Sequence, residues 1–171
     1  YSCLMRSPPS KTPISRGMLK HLDTLTGCDH VQLIHHDVKT SMTCFLVAKK
    51  NGLGRFIVNC RPLNACQIPP TNMGLPGIKE VIQQVLGWKY ASQCDGTTFF
   101  CQFVLTQGIR ENFACRLADV RGKIVNVLLN RMPMGWSHAP RIAQAVANFI
   151  MEDVGVGWVD NFLVGGTSMK D

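Results

Sequence analysis

The residue types able to do chemistry in this chain are few and unevenly placed. Asp95 closes a strand-like run and is followed by Gly-Thr-Thr-Phe-Phe, which presents a carboxylate at a sheet end beside aromatic rings. Asp160, with Asn161 next to it, sits at the tip of a tight hairpin read from Trp158-Val159-Asp160-Asn161-Phe162-Leu163-Val164. Each has an ordinary structural explanation when taken singly. Asp and Asn favour tight turns because both tolerate left-handed backbone and bond locally, and a lone strand-end aspartate is usually a loop residue. The charge distribution adds a second clue. The chain carries 18 Lys+Arg against 11 Asp+Glu, a net charge of +7. Through Asn64 nine basic residues stand against three acids, and the remainder of the chain is close to balanced. A basic front joined to a near-neutral part bearing carboxylates suits a protein that holds polyanions in one part and metal ions in another. A solubilising surface bias would give the same count.

The elements that must position these residues can be read from periodicity. Ser15 to about Thr26 reads as a short helix with Met18, Leu19, Leu22 and Leu25 on one side and Gly27 as its stop. Thr43 to Lys50 and Arg55 to Cys60 are β-rich runs around Asn51-Gly52-Leu53-Gly54, a hairpin signal. Pro62, Pro69, Pro70 and Pro76 mark an extended connection. Gly77 to Leu86 is an amphipathic helix with Ile78, Val81, Ile82, Val85 and Leu86 on one face. A strand from about Lys89 delivers Asp95, and Phe113–Leu117 with Lys123–Leu129 form a second hairpin. A helix follows Pro140, with Ile142, Ala145, Val146, Phe149 and Ile150 on its apolar face. Hairpins interleaved with crossing helices indicate an α+β fold in which an antiparallel sheet packs on helices.

Composition narrows the class further. A hydrophobic fraction of 46% is enough for a buried core. No run of about 18 apolar residues occurs, so no helical membrane span is expected. The chain starts at Tyr1 without a signal-peptide shape and reads as an excerpt of something longer. Its eight cysteines contain no C-x-x-C, and Cys28-Asp29-His30 lacks a second half, which argues against zinc. Cys44, Cys60, Cys94, Cys101 and Cys115 lie in apolar or strand-like runs and are expected as buried free thiols in a reducing, intracellular compartment.

Five runs in fixed order then resemble one family. Val47-Ala48-Lys49-Lys50-Asn51-Gly52-Leu53-Gly54-Arg55 through Arg61-Pro62-Leu63-Asn64 is similar to the fingers hairpin of reverse transcriptases. Leu75-Pro76, a helix, and Leu86-Gly87-Trp88-Lys89-Tyr90-Ala91-Ser92 resemble the approach to the palm. Asp95 to Gln102 resembles the first catalytic palm motif, and Met132-Pro133-Met134-Gly135-Trp136-Ser137-His138-Ala139-Pro140 the turn and helix that follow. Trp158-Val159-Asp160-Asn161 takes the place of Y-x-D-D. The likeness covers roughly residues 40–166 and is retroviral or LTR-retrotransposon-like, with tyrosine-recombinase retroelements as a possible relative.

The resemblance implies polymerase fingers and palm, divided as an arm and helix over 1–40, a fingers hairpin and connection over 41–74, and an incomplete palm over 75–171. It implies RNA-directed DNA synthesis by transfer of a nucleotide from a dNTP to a primer 3′-hydroxyl. Asp95, Asp160 and Asn161 would be catalytic, with Asp95 and Asp160 holding Mg²⁺ or Mn²⁺. Lys50 and Arg55 would neutralise the triphosphate, Phe100 would exclude a 2′-hydroxyl, and Met134 and Gly135 would line the substrate path. The implied partners are an RNA or DNA template-primer, the dNTP, and the remaining polymerase domains: a thumb, absent from this chain, and an RNase H domain. No membrane partner is implied. Asn161 stands where the family has a second aspartate, Asn59 where the fingers motif has Asp, and Phe99 where a small residue is usual, which would set a bulky ring beside the nucleotide pocket. Loss of one carboxylate opens a competing reading: a catalytically retired reverse-transcriptase-like domain kept to bind nucleic acid or protein.

Overall fold

The computed structural model describes residues 16–36, 38, 42–48, 54–118, 121 and 123–168. They form an α+β structure of helices and three antiparallel sheets, gathered into two compact units. One unit comprises the described residues through Ile68 together with Cys101–Ser137, and the other comprises Pro69–Phe100 with His138 onward. Each is discontinuous in sequence, so the linear division at 40 and 74 does not coincide with the grouping by contact.

In the first unit, α1 (Arg16–Gly27) buries Met18 and Leu22. Strand β1 (Val31–Ile34), too short to stand out in the sequence, pairs with β6 (Ile124–Leu129), which also pairs with β5 (Ala114–Ala118). The fingers-like strands β2 (Cys44–Ala48) and β3 (Gly54–Val58) are antiparallel, with Val47 opposite Arg55. Residues 49–53 between them, Lys50 included, lie outside the described residues. The core gathers Phe113, Cys115, Val127 and Met132, and the Phe113 ring meets Trp136 edge-on at 5.1 Å. Cys44, Cys60 and Cys115 are buried there as free thiols. Burial pushes the Cys60 thiol up to about 11. Hydrogen bonding with Cys44, followed by burial, carries Cys115 well above the usual thiol range. Cys94, by contrast, is exposed because its whole strand is.

Pro62 does not mark extended chain. It lies in the first turn of a short helix, α2 (Arg61–Ala65), where proline's fixed φ is helical and its missing N–H is not needed. Helix α4 (Gln107–Arg110) is a single turn leading into β5.

The second unit holds α3 (Ile78–Val85), β4 (Tyr90–Asp95), α5 (Ala139–Met151), β7 (Gly155–Trp158) and β8 (Asn161–Gly166). Helix α3 starts where the sequence places it, and the Glu80 carboxylate accepts the Gly77 N–H at 2.8 Å. Its apolar face is not buried: Ile78 is 69% and Leu86 77% exposed. The sheet runs β4-β8-β7 with β8 central.

Helix α5 corrects the sequence reading of its inner face. The buried residues are Ala139, Ala143, Gln144, Ala147 and Met151, whereas Phe149 is 78% and Ile150 52% exposed. Distance of approach explains the exchange. A Cβ added to Gly157 would lie 2.9 Å from the Ala147 Cβ and 3.0 Å from its carbonyl oxygen. A helix this close to β7 accepts only small side chains at the contact, so the large apolar residues turn outward.

Candidate active site

Strand alternation builds the site. In β4 the side chains of Gln93 and Asp95 share a face, because successive strand residues alternate. Asp95 pairs directly with Asn161 at the start of β8, and Trp158 pairs with Asn161 from β7. Directly opposed residues point to the same face, so Gln93, Asp95 and Asn161 stand together. The Gln93 amide donates to Asn161 Oδ1 at 3.4 Å, and Asn161 Nδ2 reaches Asp160 Oδ1 at 3.3 Å. Those long contacts bring the Asp160 carboxylate to the same corner as Asp95. Gly157 and its partner Phe162 belong to the opposite face, where Gly157 meets α5. Asp95 therefore sits on the face turned away from α5 and Asp160 in the turn at the same end of the sheet, Asp95 exposed and Asp160 half-buried.

The turn between β7 and β8 is fixed from two sides. Residues Val159 and Asp160 form a two-residue connection, and Val159 has φ +57. A positive φ at the first turn residue is where hairpins prefer glycine, and a β-branched residue there is strained by roughly 1–3 kcal/mol. From β4, the Gly96 N–H donates to the Asp160 carbonyl at 2.5 Å. A Cβ at Gly96 would lie 3.2 Å from that carbonyl oxygen and 3.0 Å from the Phe99 ring, a tight fit that glycine avoids. From α5, Gln144 Oε1 accepts the Val159 N–H at 2.8 Å while its Nε2 donates to the Gly157 carbonyl at 2.7 Å. Gln144 is fully buried. Sequence periodicity overlooks it, since a glutamine in a helix reads as a solvent-facing residue; the i+4 series Ala139-Ala143-Ala147 was the available sign of the true inner face.

Phe99 packs inward beside Gly96. Its ring is buried and stands edge-on to Phe162 at 5.5 Å. Phe100 follows it, half-buried in the 3₁₀ turn Phe99–Gln102.

The other sequence candidates fall in the first unit. Arg55 is exposed on β3. Met134 and Gly135 are exposed in the turn after β6, where Gly135 has φ +96. Glycine is needed for that backbone angle rather than for space, because the nearest atom to an added Cβ is 3.8 Å away. Asn64, the last residue of the fingers-like run, closes this turn by donating to the Gly135 carbonyl and accepting the Ser137 N–H, both at 2.9 Å. Asn59 braces β3 locally, accepting the Arg61 N–H at 3.2 Å.

The donor set at the Asp95 corner is carboxylate and amide oxygen, hard ligands of the kind Mg²⁺ and Mn²⁺ take. Among the described residues no group of three or more His, Cys, Asp or Glu side chains forms a cage able to hold a metal ion. Mg²⁺ commonly takes one or two protein carboxylates and completes its shell with other oxygens and water, so the oxygen donors present here suit such an ion in type.

No family model matches the chain, and no curated protein matches it. Among solved structures, the crystal structure of the prototype foamy virus protease-reverse transcriptase (CSH mutant, selenomethionine-labelled) superposes with a TM-score of 0.74 at 18% identity. The match covers 96% of this chain and 22% of that one. The chain thus has the fold of one part of a retroviral reverse transcriptase and spans about a fifth of that protein's length.

Proposed function

We propose that this chain is the fingers and palm part of an RNA-directed DNA polymerase, transferring a nucleotide from a dNTP to a primer 3′-hydroxyl. The observation that carries the reading is the β4–β8 register, which sets Asp95 opposite Asn161, the residue that follows Asp160. Asp95 and Asp160 would hold the divalent cation, which supplies charge neutralisation for the triphosphate and acidifies the attacking hydroxyl. Asp95 is exposed and Asp160 half-buried, so substrate oxygens could complete the shell. Asn161 contributes a neutral oxygen and tethers the Asp160 carboxylate. Phe100, in the turn after Asp95, would exclude a ribose 2′-hydroxyl. Lys50 and Arg55 would meet the triphosphate, and Met134 and Gly135 the template or nucleotide. The basic front of the chain would grip template-primer phosphates. Thumb and RNase H segments, and a reducing intracellular setting suited to free thiols, belong to the same proposal. No described helix is long and apolar enough to cross a membrane.

Asn161 itself favours one second reading, a retired domain that binds nucleic acid without transferring nucleotides. Titration with Mn²⁺, followed by Mn²⁺-dependent binding of labelled dNTP, separates the two. The polymerase reading expects both in the wild type and loss of both in Asp95→Asn. Template-primer binding that needs no metal and is indifferent to Asp95→Asn, with no metal-dependent dNTP binding in the wild type, would transfer the chain to the second reading.

A further inference from the structure

Gln144 is a buried amide in the middle of α5, a position where a polar group survives only if its hydrogen bonds are made. Its Nε2 donates to Asn148 Oδ1 at 2.6 Å as well as to the Gly157 carbonyl. Asn148 Nδ2 in turn donates to the Gly74 carbonyl at 3.1 Å. The chain of bonds has one consistent sense. The Gly74 carbonyl accepts only, so the Asn148 amide nitrogen faces it and the Asn148 oxygen faces Gln144. Gln144 must then present its nitrogen to Asn148 and Gly157, leaving its oxygen for the Val159 N–H. Two bonds of the same amide therefore grip the backbone on either side of Trp158, immediately before Asp160. The residue gripped by the oxygen, Val159, is the one at φ +57.

We propose that Gln144 is a positioning residue: its side-chain amide holds the strained Val159 turn and thereby sets the direction of the Asp160 carboxylate toward the cation it shares with Asp95. The proposal rests on the nucleotidyl-transfer reading for what Asp160 does, but not for how the turn is held. Without the Gln144 oxygen the Val159 N–H loses its acceptor, and nothing from α5 opposes relaxation of Val159 to negative φ. Such a relaxation rotates the peptide that leads into Asp160. The Gly96 tie acts on the Asp160 carbonyl and so constrains the far side of the residue only.

The experiment compares wild type, Gln144→Leu, Asn148→Ala and Asp95→Asn by amide hydrogen exchange at Val159 and by Mn²⁺ titration. Gln144→Leu keeps the volume and removes every polar contact. Asn148 is exposed, so Asn148→Ala removes the orienting group without opening the interior and decides the matter should Gln144→Leu not fold. We expect Val159 exchange to accelerate by about a hundredfold in Gln144→Leu, with Leu163 in the central strand unchanged. Mn²⁺ affinity should fall about tenfold or more, the usual effect of losing a group that orients a ligand. Asn148→Ala should show the same two effects, smaller, with the melting transition close to wild type. A folded variant with wild-type Val159 exchange overturns the proposal, as does accelerated exchange with unaltered Mn²⁺ affinity where wild-type binding depends on Asp95. Mn²⁺ binding insensitive to Asp95→Asn would instead defeat the nucleotidyl-transfer reading, while Val159 exchange would still decide whether Gln144 holds the turn.

Discussion

Replacing Asn161 by Asp tests the electrostatics of the corner most directly. The two side chains have nearly the same shape, so the change substitutes a charge for an amide where the scaffold is already set. In the wild type, Asn161 Nδ2 lies 3.3 Å from Asp160 Oδ1, and Asp95 is the cross-strand partner of Asn161. Asn161→Asp turns a weak attraction into a like-charge contact with Asp160 and adds a second with Asp95. At about 4 Å each pair costs about 1 kcal/mol in a water-like dielectric, and the exposure of Asp95 and Asn161 makes that limit the relevant one. The metal-free variant should therefore be destabilised by about 1–2 kcal/mol at low ionic strength, with the loss shrinking as salt is added. A divalent cation reverses the sign. It interacts with the new charge about twice as strongly as a single charge does and removes the repulsion, so affinity should rise by about 2 kcal/mol or more, about thirtyfold. Calorimetric titration with Mn²⁺ and Mg²⁺, paired with thermal unfolding in their absence, reads both effects. Adding Asp95→Asn to the variant should remove most of the gain. Equal Mn²⁺ affinity in Asn161→Asp and wild type, or a gain untouched by Asp95→Asn, would refute the assignment of a shared site to these residues.

Three further outcomes follow from packing, titration and thiol exposure. Gly157→Ala forces a methyl to within 2.9 Å of the Ala147 Cβ and 3.0 Å of its backbone oxygen, which should destabilise the second unit by about 1–3 kcal/mol or more in denaturant unfolding. Gly108→Ala, with nothing within 4 Å of the added atom, is the control and should be neutral or slightly stabilising; equal stability of the two variants would mean that α5 does not approach β7 as described. Cys60 carries its proton up to about 11 against an ordinary value of 9.0. The native state thus retains a proton that the unfolded chain releases, so the stabilisation is complete below pH 9.0, falls as pH rises, and is lost by about 11. Alkylation at pH 7.5, mapped by peptide mass, should label exposed Cys28, Cys66 and Cys94 and spare Cys44, Cys60 and Cys115 until the protein unfolds; early labelling of Cys60 would contradict its burial.

What could be read from the sequence follows the range over which each signal acts. The β4 strand ending in Asp95 and the hairpin tip at Asp160 are local patterns, and both elements form where alternation and turn chemistry put them. The α5 boundaries are local too, with Pro140 in the first turn. Its inner face is not local. Periodicity selects the largest apolar residues, Phe149 and Ile150, whereas the face is chosen by how near β7 comes, a fact carried by Gly157 in a different element. Gln144 was hidden for the same reason, since its partners at Gly157 and Val159 belong to a different element. The packing of Phe99 against Phe162 was hidden too, because it depends on the strand that pairs beside it. The assembly of 101–137 with the front of the chain is likewise beyond local pattern.

The ties on the Asp160 turn share one property that bears on how the chain relates to an active polymerase. The Gly96 N–H grips a carbonyl, and Gln144 grips an N–H and a carbonyl. None of these bonds reads the side chain at 160 or 161. Register, turn backbone and helix contact are therefore compatible with either aspartate or asparagine at position 161; the exchange alters the charge and removes the Asn161 Nδ2 to Asp160 Oδ1 bond. The polymerase reading and its retired alternative are therefore separated by the charge of one side chain rather than by the fold beneath it.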